Sequence, residues 1–238
     1  MFKTLNECNV QLVQHMGTDL TPCQAARVSF DTTTNWKLLG WEDEEDADTR
    51  TSVATPIYDL HDKDKKLIHY LASHAHMSPF EHQAATFLVE APLFVAREWM
   101  RHRSFSFNEV SRRYTSENIE FWMPDELRKQ SESNRQASSD ARIDEEEVHL
   151  RNYKWRLEEA LEDYNDMLSA GVCREQARAI LPQAMLTKFY VTGNLRAWAH
   201  WWSLRSSDDA QKEIRHYADV LGNELKKLWP NSWEALTK

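Results

Sequence analysis

Five arginines, Arg97, Arg101, Arg103, Arg112 and Arg113, fall between positions 97 and 114, where only Glu98 and Glu109 oppose them. Five positive charges less two negative ones leave a local charge of +3 inside a chain whose formal charge is -9. Arginine stays charged when desolvated and presents a planar fork of donors, so such a cluster suits phosphates or an electron-rich ring. On charge alone, an ion-pair network with the chain's many acids fits equally well.

Other groupings carry less. His61, His69, His74, His76 and His82 lie close in sequence, but no ligand spacing joins them and no cysteine is near, so no metal site is expected. Glu146 with His149 and Glu213 with His216 form two ExxH pairs, the arrangement that builds di-iron sites in helix bundles. A chain this rich in Glu and His yields about one such spacing by chance. Cys8, Cys23 and Cys173 are odd in number and far apart, which suggests neither a disulfide framework nor a CxxC site and fits a reducing cytoplasm.

The elements that must hold these residues can be read from periodicity. Val10 to Val13 alternates like a short strand, and Pro22 to Phe30 reads as a helix capped by Thr21. Trp41 to Arg50, with six acids against one arginine, reads as a solvated loop. Lys65 to His74 has helical spacing, Ala84 to Ala91 looks like a buried strand, and Pro92 opens a helix running through Phe94, Val95 and Trp99 toward Arg101. Glu126 to Glu147 is polar and reads as a flexible insertion or helix overhang, before a helix marked by Trp155, Leu157, Leu161, Tyr164 and Leu168. Met185 to Val191 is β-like, and the last two helices are expected over Asn194 to Leu204 and Asp209 to Trp229, stopped by Pro230.

At 238 residues and 41% hydrophobic content, the chain has the makings of one core and hence one domain over 1–238, with the polar insertion at 126–147. Strands scattered among long helices predict an α+β fold, long helices packed on a small, mainly antiparallel sheet. The acidic balance argues against a general nucleic-acid or anionic-membrane binder, and no apolar stretch approaches the roughly 20 residues of a membrane span.

Order then adds what composition cannot. Arg101-His102-Arg103 is followed by Ser106, Asn108, Glu109, Ser111, Arg113 and Tyr114, a spaced string that resembles the signature of the flavin-dependent thymidylate synthases. The resemblance extends to His76-x-Ser78-Pro79-Phe80-Glu81-His82, to Ala177-Arg178-x-x-Leu181-Pro182, and to Asn194-Leu195-Arg196 leading to Leu204-Arg205. It departs at Ser207-Asp208-Asp209-Ala210-Gln211, where Asp209 stands in place of the family's histidine.

The resemblance implies reductive methylation of dUMP to dTMP, with methylenetetrahydrofolate as carbon donor, NADPH as reductant and FAD as cofactor, in a cytoplasmic homotetramer. It implies FAD contacts from Ser78, Arg101, His102, Arg103, Glu109, Asn194, Leu195, Arg196 and His200, with His76 near the flavin. It implies a dUMP site of Glu98, Arg101, Glu109, Val110, Ser111, Arg112, Arg113, Arg178 and Arg205, with Arg205 catalytic and no cysteine nucleophile. Two other classes remain in view: an RNA-binding module stacking bases on Phe105, Phe107, Tyr114, Phe121 and Trp122, and the di-iron protein.

Overall fold

The computed structural model describes residues 2–45, 52–132, 134 and 137–238. In chain order it forms β1 (Phe2–Lys3), β2 (Val10–Met16), α1 (Thr21–Val28), β3 (Lys37–Glu45), β4 (Ser52–Asp59), α2 (Asp62–Ser73), β5 (Ala84–Pro92), α3 (Leu93–Trp99) and β6 (Ser106–Glu109). There follow β7 (Phe121–Trp122), β8 (Arg128–Gln130), β9 (Ser138–Arg142), α4 (Glu146–Ser169), α5 (Arg174–Ala177), β10 (Leu186–Asn194), α6 (Leu195–Arg205), α7 (Lys212–Leu228) and α8 (Pro230–Thr237). This is the α+β class expected. Among the described residues no helix is long and apolar enough to cross a membrane.

The chain divides into two compact units. The first comprises Met1–Gln14, Ala85–Gly193 and His200–Gly222. Its centre is a four-stranded sheet in the order β2-β5-β10-β6. β5 is buried along almost its whole length, as an inner strand covered on both faces must be. β6 pairs antiparallel with β10, setting Glu109 opposite Phe189 and Ser106 opposite Thr192. The arginine-rich segment is thereby pinned to the edge of this sheet.

Four large aromatics lock the helices onto it. Trp99, at the end of α3, stacks on Trp201 of α6 with ring centroids 4.3 Å apart, and meets Phe189 and Tyr217 edge-on at 5.4 and 6.0 Å. Trp99 and Trp201 are fully buried, and each such ring removes on the order of 200 Å² from water. The end of α3 and the last turn of α6 are therefore held in one fixed place. A second cluster packs Leu157 and Tyr164 of α4 against Ala177, Leu181, Ala184 and Met185. Trp155, read from sequence with that helix's apolar positions, is instead 47% exposed beneath Arg156.

The second unit comprises His15–Ala84, Asn194–Ala199 and Asn223–Lys238. Here Asp19 accepts hydrogen bonds from the amides of Asn231 and Ser232, both at 2.8 Å, and so caps the N-terminus of α8. A carboxylate at that end meets both the orphan amides and the positive end of the helix dipole. Asp64 is buried on the Arg27 guanidinium and also accepts from Thr34 Oγ1 at 2.9 Å.

Three expectations need correction. The acidic stretch from Trp41 is not a loop through Glu45, because β3 pairs antiparallel with β4 over Lys37 to Glu45; the rest of it, 46–50, lies outside the described residues. The polar stretch 126–147 holds the hairpin β8-β9, fastened by Arg128 to Glu213 at 2.7 Å and by the Leu127 amide to Glu146 at 2.6 Å. α7 does stop at Leu228, just before Pro230, but it is not the last helix, because Pro230 opens α8, where its missing N–H costs nothing.

Candidate active site

The first unit gathers most of the expected residues along one run of chain. α3 ends at Trp99, the His102 amide closes a turn onto the Trp99 carbonyl at 3.0 Å, and β6 then carries Ser106 to Glu109 along the sheet edge. Between them Phe105 packs closely against Gly193 of β10, where an added Cβ would stand 2.3 Å from the ring. Glycine is required here by that close approach.

Arg205, the last residue of α6, reaches back onto α3 and the turn behind it. Its Nε donates to His102 Nε2 at 3.1 Å, its Nη2 donates to the Glu98 carbonyl at 3.0 Å, and its Nη1 lies 3.5 Å from Glu98 Oε2. Three residues from two stretches of sequence thus converge. Burial first, then the Arg205 charge and His200, whose ring centroid is 6.3 Å away, push the His102 pKa down to about 4. Burial also raises the Glu98 carboxyl above its ordinary range, in spite of Arg205 beside it. A neutral imidazole is what the geometry requires, since Arg205 has only donors and His102 Nε2 must accept.

The turn after β6 is tightly made. The Val110 amide donates to the Lys188 carbonyl at 2.9 Å, and the Arg113 amide to Ser111 Oγ at 3.3 Å. Among the described residues the amides of Ser111 and Arg112 have no partner, so of the backbone 110–112 only these two are free to meet a ligand. Glu109 Oε1 accepts from Thr187 Oγ1 at 2.7 Å. Arg112 is 8% exposed, its Nη1 and Nη2 donating to the carbonyls of Glu117 and Asn118 at 2.6 and 3.3 Å. It braces the loop. Arg113 lies 3.8 Å from Glu175, and Arg178 is exposed on the short turn after α5.

Among the described residues, the side chains of Arg97, Arg101, Arg103 and Arg178 have no carboxylate or carbonyl partner, although the chain carries an excess of acids. The ion-pair network that charge alone allowed is therefore not what these four form. Exposed guanidinia without an acceptor are the donor set that a diphosphate and a planar, electron-rich ring call for. The residues present fit FAD.

The second unit holds Ser78, Asn194, Leu195 and Arg196. Asn194 Oδ1 accepts from the Ala197 amide at 2.9 Å and caps α6, while Leu195 is fully buried with its amide on the Gln83 carbonyl at 2.8 Å. Arg196 Nη1 meets Glu81 Oε1 at 2.6 Å, and exposed Ser78 opens the 3-10 turn that carries Glu81 and buries Pro79 and Phe80. Two short motifs far apart in sequence thus meet inside this unit. Asp209, which belongs to the first unit, accepts from Asn134 Nδ2 at 3.1 Å.

Thr187 and Glu81 are partners that sequence reading did not single out as site residues. Thr187 could not be, since its contact depends on strand pairing between β10 and β6. Glu81 lies in a quoted motif, and an acid there was the available signal. Of the cysteines, burial raises the Cys8 thiol to about 11 and the Cys23 thiol to about 12, and Cys173 is exposed.

Comparison with known proteins settles the family. The model of the family described as thymidylate synthase complementing protein matches residues 11–231. The chain belongs to this family. Flavin-dependent thymidylate synthases from Thermosipho africanus and Thermus thermophilus are 37% and 39% identical to it, the first over 100% of this chain and 94% of its own length, the second over 95% and 74%. The UMP/dUMP methylase PolB from Streptomyces cacaoi, in a crystal structure bound with 5-Br UMP, aligns with a TM-score of 0.80 at 32% identity over 100% of this chain and 96% of that one. Membership in the flavin-dependent thymidylate synthase family makes the chain an enzyme rather than a nucleic-acid module or a di-iron protein.

Proposed function

We propose that the chain is a flavin-dependent thymidylate synthase that converts dUMP, methylenetetrahydrofolate and NADPH, with a proton, into dTMP, tetrahydrofolate and NADP. The observation that carries this reading is the Arg205 guanidinium fixed on Glu98 and His102, in a chain whose family match spans 11–231. When bound, FAD reduced by NADPH is the source of the hydride.

The work of the chain's own residues is to bind and polarise. Arg101, His102, Arg103, Glu109 and His200, completed by Ser78, Asn194, Leu195 and Arg196, would hold FAD, some of them from neighbouring subunits. Glu98, Arg101, Glu109, Val110, Ser111, Arg112, Arg113 and Arg178 would hold dUMP, with phosphate and carbonyl oxygens on the guanidinium forks. Arg205 stabilises the negative charge that grows on the pyrimidine as N3 ionises, which makes C5 nucleophilic without losing an arginine proton. No thiol is asked to attack C6. That the half-buried Cys8 and the buried Cys23 are thiols of raised pKa supports this, because the thiolate is the nucleophile.

The reading includes a cytoplasmic homotetramer and one catalytic domain. Exposed Val28, Phe30, Leu38, Leu39 and Tyr58 in the second unit support subunit contacts, since apolar side chains at this density seek cover. The experiment is a product assay on FAD-reconstituted protein, with each substrate withheld in turn and UMP offered beside dUMP. Arg205→Ala should retain FAD and lose most of its turnover. A folded Arg205→Ala protein with normal turnover would rule the assignment out.

A further inference from the structure

All three guanidinium nitrogens of Arg205 face acceptors on α3 and the turn behind it: His102 Nε2 at 3.1 Å, the Glu98 carbonyl at 3.0 Å and Glu98 Oε2 at 3.5 Å. The partner of Nε is the unusual one. A second carboxylate there would orient the guanidinium but add to the negative charge that Glu98 already sets beside it. A neutral imidazole orients it without countering its charge further. The groups that act on the His102 charge are Arg205 and His200, both from α6, with the Glu98 carboxylate of α3 turned to Arg205 and Arg101 and Arg103 flanking the ring in sequence. Both α6 neighbours oppose a proton on the ring.

We propose that His102 is a positioning residue for Arg205: its neutral ring, protonated on Nδ1, accepts the Arg205 Nε–H and so aims the remaining N–H groups at the bound nucleotide. This rests on the role assigned to Arg205 above. It also limits what His102 offers a flavin, since Nε2 is already engaged and only Nδ1–H remains.

The test is a double-mutant cycle read as the dissociation constant of dUMP, by equilibrium dialysis against the FAD-loaded protein, with flavin content read from absorbance. A hydrogen bond to a charged group corresponds to about a tenfold to hundredfold effect, so His102→Ala should weaken dUMP binding by about tenfold or more. In an Arg205→Ala background the same change should cost less than about twofold, because there is nothing left to aim. His102→Gln, which places a neutral acceptor at similar reach, should hold dUMP within about threefold of the parent. If His102→Ala loses flavin, His102→Gln carries the cycle alone, and a tenfold loss in it that persists without Arg205 would overturn the proposal. Additive losses from His102→Ala and Arg205→Ala would overturn the proposal while leaving the role of Arg205 standing. An Arg205→Ala protein with unchanged dUMP affinity and turnover would overturn both.

Discussion

Gly193→Ala tests whether the arginine string is held by the close approach of Phe105 to β10. The new Cβ would stand 2.3 and 2.4 Å from two ring carbons of Phe105, and carbons at rest keep about 3.5 Å or more. The ring must retreat by about 1 Å, yet Phe105 is 8% exposed and packed against Phe107. Overpacking of this kind costs about 1–3 kcal/mol, and the lower chain entropy of alanine returns about 0.4–1 of it. A net loss of about 1–2 kcal/mol corresponds to a Tm lowered by about 2–8 °C for a chain of this size. Because Phe105 stands between Arg103 and Ser106, FAD affinity should fall as well. Thermal unfolding at fixed protein concentration and an FAD titration give both numbers. Phe105→Leu added to Gly193→Ala should recover part of the loss, and Gly40→Ala, whose Cβ would meet nothing within 4 Å, should leave Tm within about 1 °C. A Gly193→Ala protein with the parent's Tm and FAD affinity would refute the argument.

Three further outcomes follow from the same geometry. Asp19→Ala removes the cap of α8 and should lower stability by about 1–2 kcal/mol in urea melts, with Asp19→Asn losing less. His102 is protonated at about 4 when folded and near its ordinary 6.5 when unfolded, so its contribution to stability is complete above pH 6.5 and declines as pH falls toward 4. His102→Gln should flatten the pH profile of Tm across that window, and an unchanged profile would show that His102 is not the group responsible. Cys173→Ser, at the one exposed cysteine, should keep full turnover in the product assay; loss of activity would reopen a thiol mechanism.

Much of the fold was legible because its signals are local. β5 is a buried apolar run, α3 opens behind Pro92, and α4 carries apolar residues at helical spacing, so their places follow from periodicity. What sequence missed is held by pairing or by polar bonds. β3 is acidic and owes its existence to β4, and the β8-β9 hairpin is fastened by Arg128, Glu213 and Glu146 rather than by apolar burial. At the site, order alone singled out Arg101 to Tyr114. It could not say that Arg205 reaches His102 across 103 positions, which depends on the aromatic contact that fixes α6 against α3, nor that Arg112 braces two loop carbonyls, which depends on the path of its own loop.

The measurement closest to the central claim is an anaerobic visible spectrum of FAD-reconstituted protein, recorded with NADPH in the presence and absence of dUMP. The account predicts an oxidised flavin band near about 450 nm that bleaches with NADPH, and dTMP once methylenetetrahydrofolate and dUMP are both added. A protein that neither takes up FAD nor oxidises NADPH would contradict it.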